Sequence, residues 1–177
     1  MASLEHLETL LAGQSGRPPV EQWNPDLSGD IDIAIRRDGS WWHEGGEIRR
    51  FELVKLFASI LRREADGGYY LVTPVEKWRI TVEDLPLFIV DVECAADHSR
   101  IAVKTNVDEW LELGAEHPLV VHYEPGSDEP QPSVAVRNGL DARVNRSCFY
   151  RLVEAGEQQG DQLVLNAGGQ RFIMGQV

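Results

Sequence analysis

Ile31, Ile33 and Ile35 alternate with Asp30, Asp32, Ala34 and Arg36, a period of two that predicts a half-buried strand. Asp38-Gly39 follows, and Trp41-Trp42 lies on its far side. Asp-Gly between two strand-like runs predicts a tight hairpin with both turn residues at positive φ. Gly45-Gly46 breaks the second strand. From Arg50 to Arg63 the period changes. Leu53, Val54, Phe57, Ile60 and Leu61 share one helical face, and Glu52, Lys55, Ser59 and Arg62 fall away from it. Asp66-Gly67-Gly68 is expected to end that helix. Tyr69 to Thr73 and Lys77 to Val82 read as two further strands, with Pro74 marking a turn or bulge between them.

The same order returns near the C-terminus. Ile33-Ala34-Ile35-Arg36 is echoed by Val134-Ala135-Val136-Arg137, and Asp38-Gly39 by Asn138-Gly139. Ile48-Arg49-Arg50 is echoed by Val144-Asn145-Arg146 before a helix whose apolar face is Phe149, Leu152 and Val153. Asn145 is its expected N-cap and Gly156 its stop. Leu71-Val72-Thr73 and Trp78-Arg79-Ile80 are matched by Val164-Leu165-Asn166 and Phe172-Ile173-Met174. The shared order predicts a duplicated β-β-α-β-β unit.

Ahead of the first copy, Ser3 is the expected cap of a short helix over Leu4, Leu7, Leu10 and Leu11, stopped by Gly13. Gln14 to Gly29 reads as a linker pinned by Trp23. Between the copies, Leu87–Glu93, Arg100–Thr105, Glu109–Leu113 and Pro118–Tyr123 form a meander, followed by an exposed acidic, proline-rich loop over Glu124–Pro132. About a dozen strands and three helices make an α+β protein of two small, predominantly antiparallel β domains. Residues 1–29 are the N-terminal helix and linker, 30–85 the first domain and 86–177 the second.

Composition narrows the function classes. Hydrophobic residues make up 42% of the chain, enough for a packed core. No apolar run reaches the roughly 20 residues a bilayer requires, and the N-terminus lacks a signal-peptide pattern, so a cytoplasmic protein without a membrane partner is expected. A net charge of −12 argues against a nucleic-acid polymer as partner. Arg36 to Arg63 nevertheless holds seven basic residues against four acidic ones, a basic stretch that can hold a small anion or form a solvated face. Cys94 and Cys148 are expected to be buried, reduced thiols.

Candidate chemistry is sparse. Trp42-His43-Glu44-Gly45 offers an acid–base pair or two metal ligands, but adjacent strand residues point to opposite faces and no third ligand is placed by spacing, so neither a metal nor a cofactor is expected. His43 fixing the hairpin is the alternative. Glu76 and Lys77 stand where Pro74 interrupts the sheet and can contact a ligand or form a solvated edge pair. Arg36 and Arg137 occupy equivalent places in the two copies, as do Arg50 and Arg146, and Arg143 adds another planar fork of donors suited to phosphate or carboxylate. Each arginine can instead pair with a nearby acid such as Asp32, Asp38 or Asp141. Asn106 is expected to make turn hydrogen bonds, and His117 to order the start of a strand. Walker-type loops, G-x-G-x-x-G, nucleophile elbows, H-E-x-x-H and paired C-x-x-C are absent from the sequence.

Together, DIAIRRDGSWWHEGGEIRR, FELVKLFASILRRE, YYLVTPVEKWRITVEDLP, KTNVDEW, AEHPLVVHY and VRNGLDARVNRSCFYRLVE resemble the bacterial family called domain of unknown function 1285. The order W-H-E-G, L-V-T-P-V-E-K, G-L-x-A-R carries the resemblance, which runs from about Asp30 nearly to the C-terminus. One departure is that Asp108-Glu109 follows Asn106-Val107 directly, where a glycine is expected. The resemblance implies an internally duplicated two-domain protein whose second domain is superficially pleckstrin-homology-like. It also implies a nucleotide-like ligand at the domain interface and a part in signalling. The expectation is a binding or regulatory module in which Trp42, His43, Glu76, Lys77, Asn106, Arg137, Arg143 and Arg146 contact a small anion. The alternatives are a protein–protein interaction module without a small ligand, and a hydrolase or transferase using His43, Glu44 or Glu76.

Overall fold

The computed structural model describes residues 4–11 and 17–177. The expected cap Ser3 and stop Gly13 lie outside the described residues, as do the side chains of Leu10 and Leu11. The chain divides into two compact units, Met1–Asp84 and Leu85–Val177. Both are α+β and carry the duplicated unit, so the α+β architecture with internal duplication holds.

In the first unit, α1 (Leu4–Leu11) and a single 3-10 turn (Val20–Gln22) precede β1 (Gly29–Ile35), β2 (Trp41–His43), β3 (Gly46–Ile48), α2 (Phe51–Ser59), β4 (Leu61–Arg63), β5 (Tyr69–Val72) and β6 (Lys77–Val82). The strands form one sheet in the order β3-β2-β1-β6-β5-β4. Every neighbouring pair is antiparallel except β1 with β6, which is parallel. Ile31, Ile33 and Ile35 are buried, as the alternation requires. Trp41 stacks on Phe57 of α2, with centroids 6.4 Å apart and planes 30° from parallel.

Three local expectations change. Helix α2 ends at Ser59 rather than running to Arg63, because Ile60 leaves helical geometry (φ −110, ψ 10) and Leu61 pairs with Leu71. Ile60 and Leu61 are both wholly buried and satisfy either period, and the β5 edge takes them. Asp66-Gly67-Gly68 consequently closes the β4–β5 hairpin and does not end a helix; the Glu64 amide donates to the Gly68 carbonyl at 3.0 Å. Glu44 and Gly45, at φ 49 and 81, are the two turn residues between β2 and β3, so a third strand appears where a break was expected.

The second unit contains β7 (Leu87–Cys94), β8 (Ile101–Thr105), β9 (Trp110–Glu112), β10 (Leu119–Tyr123), β11 (Pro130–Arg137), β12 (Leu140–Val144), α3 (Arg146–Ala155), β13 (Glu157–Gln159), β14 (Gln162–Ala167) and β15 (Gln170–Gln176). The order β10-β11-β12-β7-β8-β9 makes a six-stranded sheet, with β12 and β7 parallel, and β13-β14-β15 make a separate antiparallel sheet. Helix α3 packs on β7 and β14. The expected 124–132 loop is shorter, because Pro130–Pro132 already pair with β10. Cys148 is buried, but Cys94, the last residue of β7 before a turn, is exposed.

The hairpin signals resolve differently in the two copies. Asn138 and Gly139 both take positive φ (49 and 76), and Arg137 pairs with Leu140 across a two-residue turn. At the Asp38-Gly39 turn only Gly39 does so (φ 90). The Asp38 carboxylate accepts from the Ser40 amide (3.0 Å) and hydroxyl (2.5 Å), a local bond that bridges the turn. The missing glycine near Asn106 is replaced by Asp108 itself at φ 65. That turn is held by Thr105, whose buried Oγ1 accepts from the amides of Val107 (3.3 Å) and Glu109 (3.2 Å).

Asn145 caps α3 as expected, its Oδ1 accepting from the Cys148 amide at 2.8 Å. Gly156 ends the helix as expected, but not through a left-handed backbone. Its φ is −83, which any residue adopts, but a Cβ there would lie 2.9 Å from the Val164 carbonyl oxygen and 2.5 Å from Met174 Cε. Gly156→Ala is expected to lower stability by about 1–3 kcal/mol through overpacking, read as a lower urea midpoint at unchanged m.

Candidate functional site

The two charged clusters expected from the sequence fall in different units, and each is described by itself. In the first unit, Trp42 and His43 end β2, while Lys77 begins β6 and Glu76 immediately precedes it. Ala34 pairs with both Trp42 and Thr81, which puts Lys77 four residues, about 13 Å, back along the ladder from Trp42. The register therefore does not bring these residues to one point within the unit.

The Arg36 guanidinium lies 3.7 Å from the centroid of the Trp42 ring, and Trp42 Nε1 donates to Ser40 Oγ at 2.8 Å. Arg36 is thus a stacking partner. His43 Nε2 is 3.7 Å from Glu44 Oε1, too long for a hydrogen bond, and the Glu44 side chain is 61% exposed at the turn tip. Such a pair has nothing to fix a proton-transfer geometry.

Glu76 and Lys77 do not pair with each other; each has its own partners. Glu76 Oε2 accepts from Trp78 Nε1 at 3.1 Å, and Oε1 lies 3.0 Å from His6 Nε2 on α1. Burial alone would raise its carboxyl, but the bonds to His6 and Trp78 outweigh burial and hold it below the usual value. Lys77 Nζ donates to Glu64 Oε1 at 2.9 Å, and Arg62 Nη2 to Glu64 Oε2 at 2.5 Å. Arg62 Nη1 also donates to the carbonyls of Val20 (2.8 Å) and Trp23 (2.7 Å), so the linker is pinned through its backbone. On the same face, Tyr70 donates to Asp66 at 2.5 Å and accepts from Arg79 at 2.6 Å. The hydrogen bond to Asp66, with burial, pushes the Tyr70 phenol up, so it stays protonated. This network escaped the sequence reading. Its signal is the alternation Arg62, Glu64, Asp66, where the sequence reading places Arg62 on the helix and Asp66 in the stretch that ends it.

In the second unit, Arg137 Nη1 donates to both Glu109 oxygens, at 2.6 and 2.8 Å, with the side chains 11% and 22% exposed. Arg143 pairs across the ladder with Ser133, four residues from Arg137, and its Nη1 donates to the Pro132 carbonyl at 3.2 Å. Arg146 opens α3, is 74% exposed and meets Glu129, itself 71% exposed, at 3.3 Å. Arg143 and Arg146 therefore share one strand-to-helix corner, and Arg137 sits at the other end of the ladder. Arg50 and Arg146 are not equivalent after all: Arg50 is the N-cap of α2, matching Asn145, and Arg146 is one residue further on. Asn106 is structural, its Oδ1 accepting from the Phe88 amide at 3.1 Å and its own amide donating to the Phe88 carbonyl at 2.8 Å. His117 Nδ1 lies 3.0 Å from the Ala135 carbonyl, beside the start of β10.

Two α+β units carrying one duplicated strand–helix motif define a class that the comparisons match along most of the chain. The N-terminal domain of the DUF1285 family (domain of unknown function) matches residues 18–85, and the C-terminal domain of the same family matches residues 86–174. The chain belongs to the DUF1285 family. A DUF1285 family protein from Silicibacter pomeroyi DSS-3 is similar at 39% identity and a TM-score of 0.90, over 100% of this chain and 97% of that one. A second, from Shewanella baltica OS155, is 33% identical with a TM-score of 0.54, over 69% of this chain and 90% of that one. No curated protein matches the chain. Among the described residues no helix is long and apolar enough to cross a membrane.

Two outcomes follow from the partners found. Burial would raise Glu64, but hydrogen bonds from Lys77 and Arg62 and their charges hold it below its ordinary 4.5. Its stabilisation is complete above about pH 4.5 and disappears as pH falls through the lowered folded value. Glu64→Gln is expected to lower the thermal midpoint at neutral pH and to flatten its decline in acid. Arg137→Ala, which strands a largely buried Glu109, should cost about 1–3 kcal/mol in chemical denaturation whether or not any anion is present.

Proposed function

We propose that the chain is a non-enzymatic binding and regulatory module for a small anionic, nucleotide-like ligand, acting in signal transduction. The observation that carries this reading is the corner between β12 and α3. Arg143 and Arg146 flank the capped first turn of a 10-residue helix, where the helix dipole and first-turn amides favour negative charge. Among the described residues Arg146 is held only by a solvent-exposed contact to Glu129, a kind of pair worth at most about 1 kcal/mol, so an incoming phosphate displaces the carboxylate at little cost. Arg143 brings a second guanidinium from the strand. The anchoring residues differ from the wider set expected: Arg137 serves Glu109, Asn106 serves the backbone, and Lys77 serves Glu64. The His43–Glu44 geometry gives the hydrolase reading no support.

Thermal-shift titration of the purified chain with inorganic phosphate, nucleotides and phosphorylated metabolites tests this. A ligand at a hundredfold excess over its Kd adds about 2.7 kcal/mol to stability. A saturable shift is expected with one phosphate-bearing class, and Arg143→Ala and Arg146→Ala should each weaken it by about 1–3 kcal/mol. A shift of full size in both variants would remove the corner from the reading. No shift with any class would favour the protein–protein alternative.

A further inference from the structure

In the second unit the β14–β15 turn and the β7–β8 turn meet beside an open cleft of about 380 Å³, lined by Ser99, Asn166, Ala167, Gly169, Gln170 and Arg171. Its walls are fixed. The Gly168 amide donates to the Ser99 carbonyl at 3.2 Å. Gly168 sits at φ +58, and a Cβ there would collide with the Leu113 carbonyl oxygen, so only glycine allows this approach. Asp97 Oδ1 locks the opposite turn by accepting from the Ser99 amide (3.0 Å) and hydroxyl (2.7 Å).

Arg171 differs from Arg62, Arg137 and Arg146, each of which meets a carboxylate. Its Nε donates to Gln159 Oε1 at 3.2 Å and its Nη2 to Gln162 Oε1 at 3.0 Å. Both partners are neutral, and among the described residues no carboxylate forms an ion pair with it. Two amide oxygens hold the guanidinium in place at the mouth of the cleft without a direct ion pair. Two carboxylates stand one contact away. Glu157 Oε1 accepts from Asn166 Nδ2 (3.1 Å) and Gln159 Nε2 (2.7 Å), and Asp97 lies in the facing turn. One oriented cation in the lining, with a carboxylate bonded to Ser99 and another bonded to Asn166, disfavours a dianion such as phosphate. It suits a ligand carrying a carboxylate and a positive charge side by side. The volume falls within the range of small-molecule sites.

We propose that this cleft binds a free α-amino acid. The Arg171 guanidinium takes the carboxylate, the acidic rim at Asp97 and Glu157 favours the ammonium, and Ser99, Asn166 and Gln170 contact the remainder. The site is separate from the Arg143–Arg146 corner and stands or falls independently of it. The test is an amide and side-chain NMR titration of the labelled full chain with L-alanine and L-serine, with acetate and inorganic phosphate as comparison ligands. Saturable shifts are expected at Gly168, Gly169 and the side-chain NH2 groups of Asn166 and Gln170, at lower concentration for the amino acids than for acetate. Arg171→Gln, at an exposed position, should weaken binding about tenfold or more, and Asn166→Ala should weaken it less. Arg146→Ala should leave it unchanged. Phosphate saturating the same signals more tightly, amino-acid binding that survives Arg171→Gln, or no saturable shift would each overturn the assignment.

Discussion

The parallel pairing of β1 with β6 holds the first unit in one sheet. β3-β2-β1 is a meander and β4-β5-β6 is another, each of short strands that are marginal alone. Only the β1–β6 ladder joins them, and a parallel join requires a crossover long enough to carry a helix. Helix α2 supplies it and brings Phe57 onto Trp41, so the crossover also covers the sheet. The burial of Ile31, Ile33 and Ile35 follows from β1 being central, with a neighbour on each side.

In the second unit the same motif meets a different neighbour. The slot beside β11, which β6 fills beside β1, is taken by β10, a strand from outside the duplicated segment. β15 is excluded from that ladder and its hairpin becomes a separate sheet. β10 still meets β15 through a side chain: the Tyr123 hydroxyl donates to the Met174 carbonyl at 2.7 Å, with Gly175 leaving room for the hydroxyl. The parallel join moves to the other edge of the motif, between β12 and β7. Duplication thus preserved the order of elements but not the pairing, because pairing depends on which strand competes for the open edge.

This explains which parts of the fold were legible. Period-two runs such as Ile31–Ile35 and the Asn138-Gly139 turn are local signals, and they held. The end of α2 was not legible, because Ile60 and Leu61 suit a helix face and a buried strand equally and β5 decides between them. The exposure of Cys94 depends on where β7 leaves its sheet, which the apolar neighbours in sequence do not reveal. Among the site residues, the arginines were visible as residues, but their partners were not. Glu109 lies 28 residues from Arg137 and Glu129 lies 17 from Arg146, and no spacing rule connects either pair.

What separates the arginines is the charge of the group that holds each one. Arg137 and Arg62 are held by largely buried carboxylates, and pulling either away for a ligand would leave an acid without its counter-charge, so they act as framework. Arg146 is held by a carboxylate in open solvent, which surrenders it cheaply. Arg171 is held by neutral amides, which set its direction without cancelling its charge. An anion arriving at Arg137 must replace an equally good partner, whereas one arriving at Arg171 displaces no carboxylate. The count of basic residues in a stretch, which drew attention to Arg36–Arg63, is therefore a poor guide to which guanidinium stands apart from a buried carboxylate. In that stretch Arg36 is stacked on Trp42, Arg50 faces Glu8 and Arg62 is tied to Glu64.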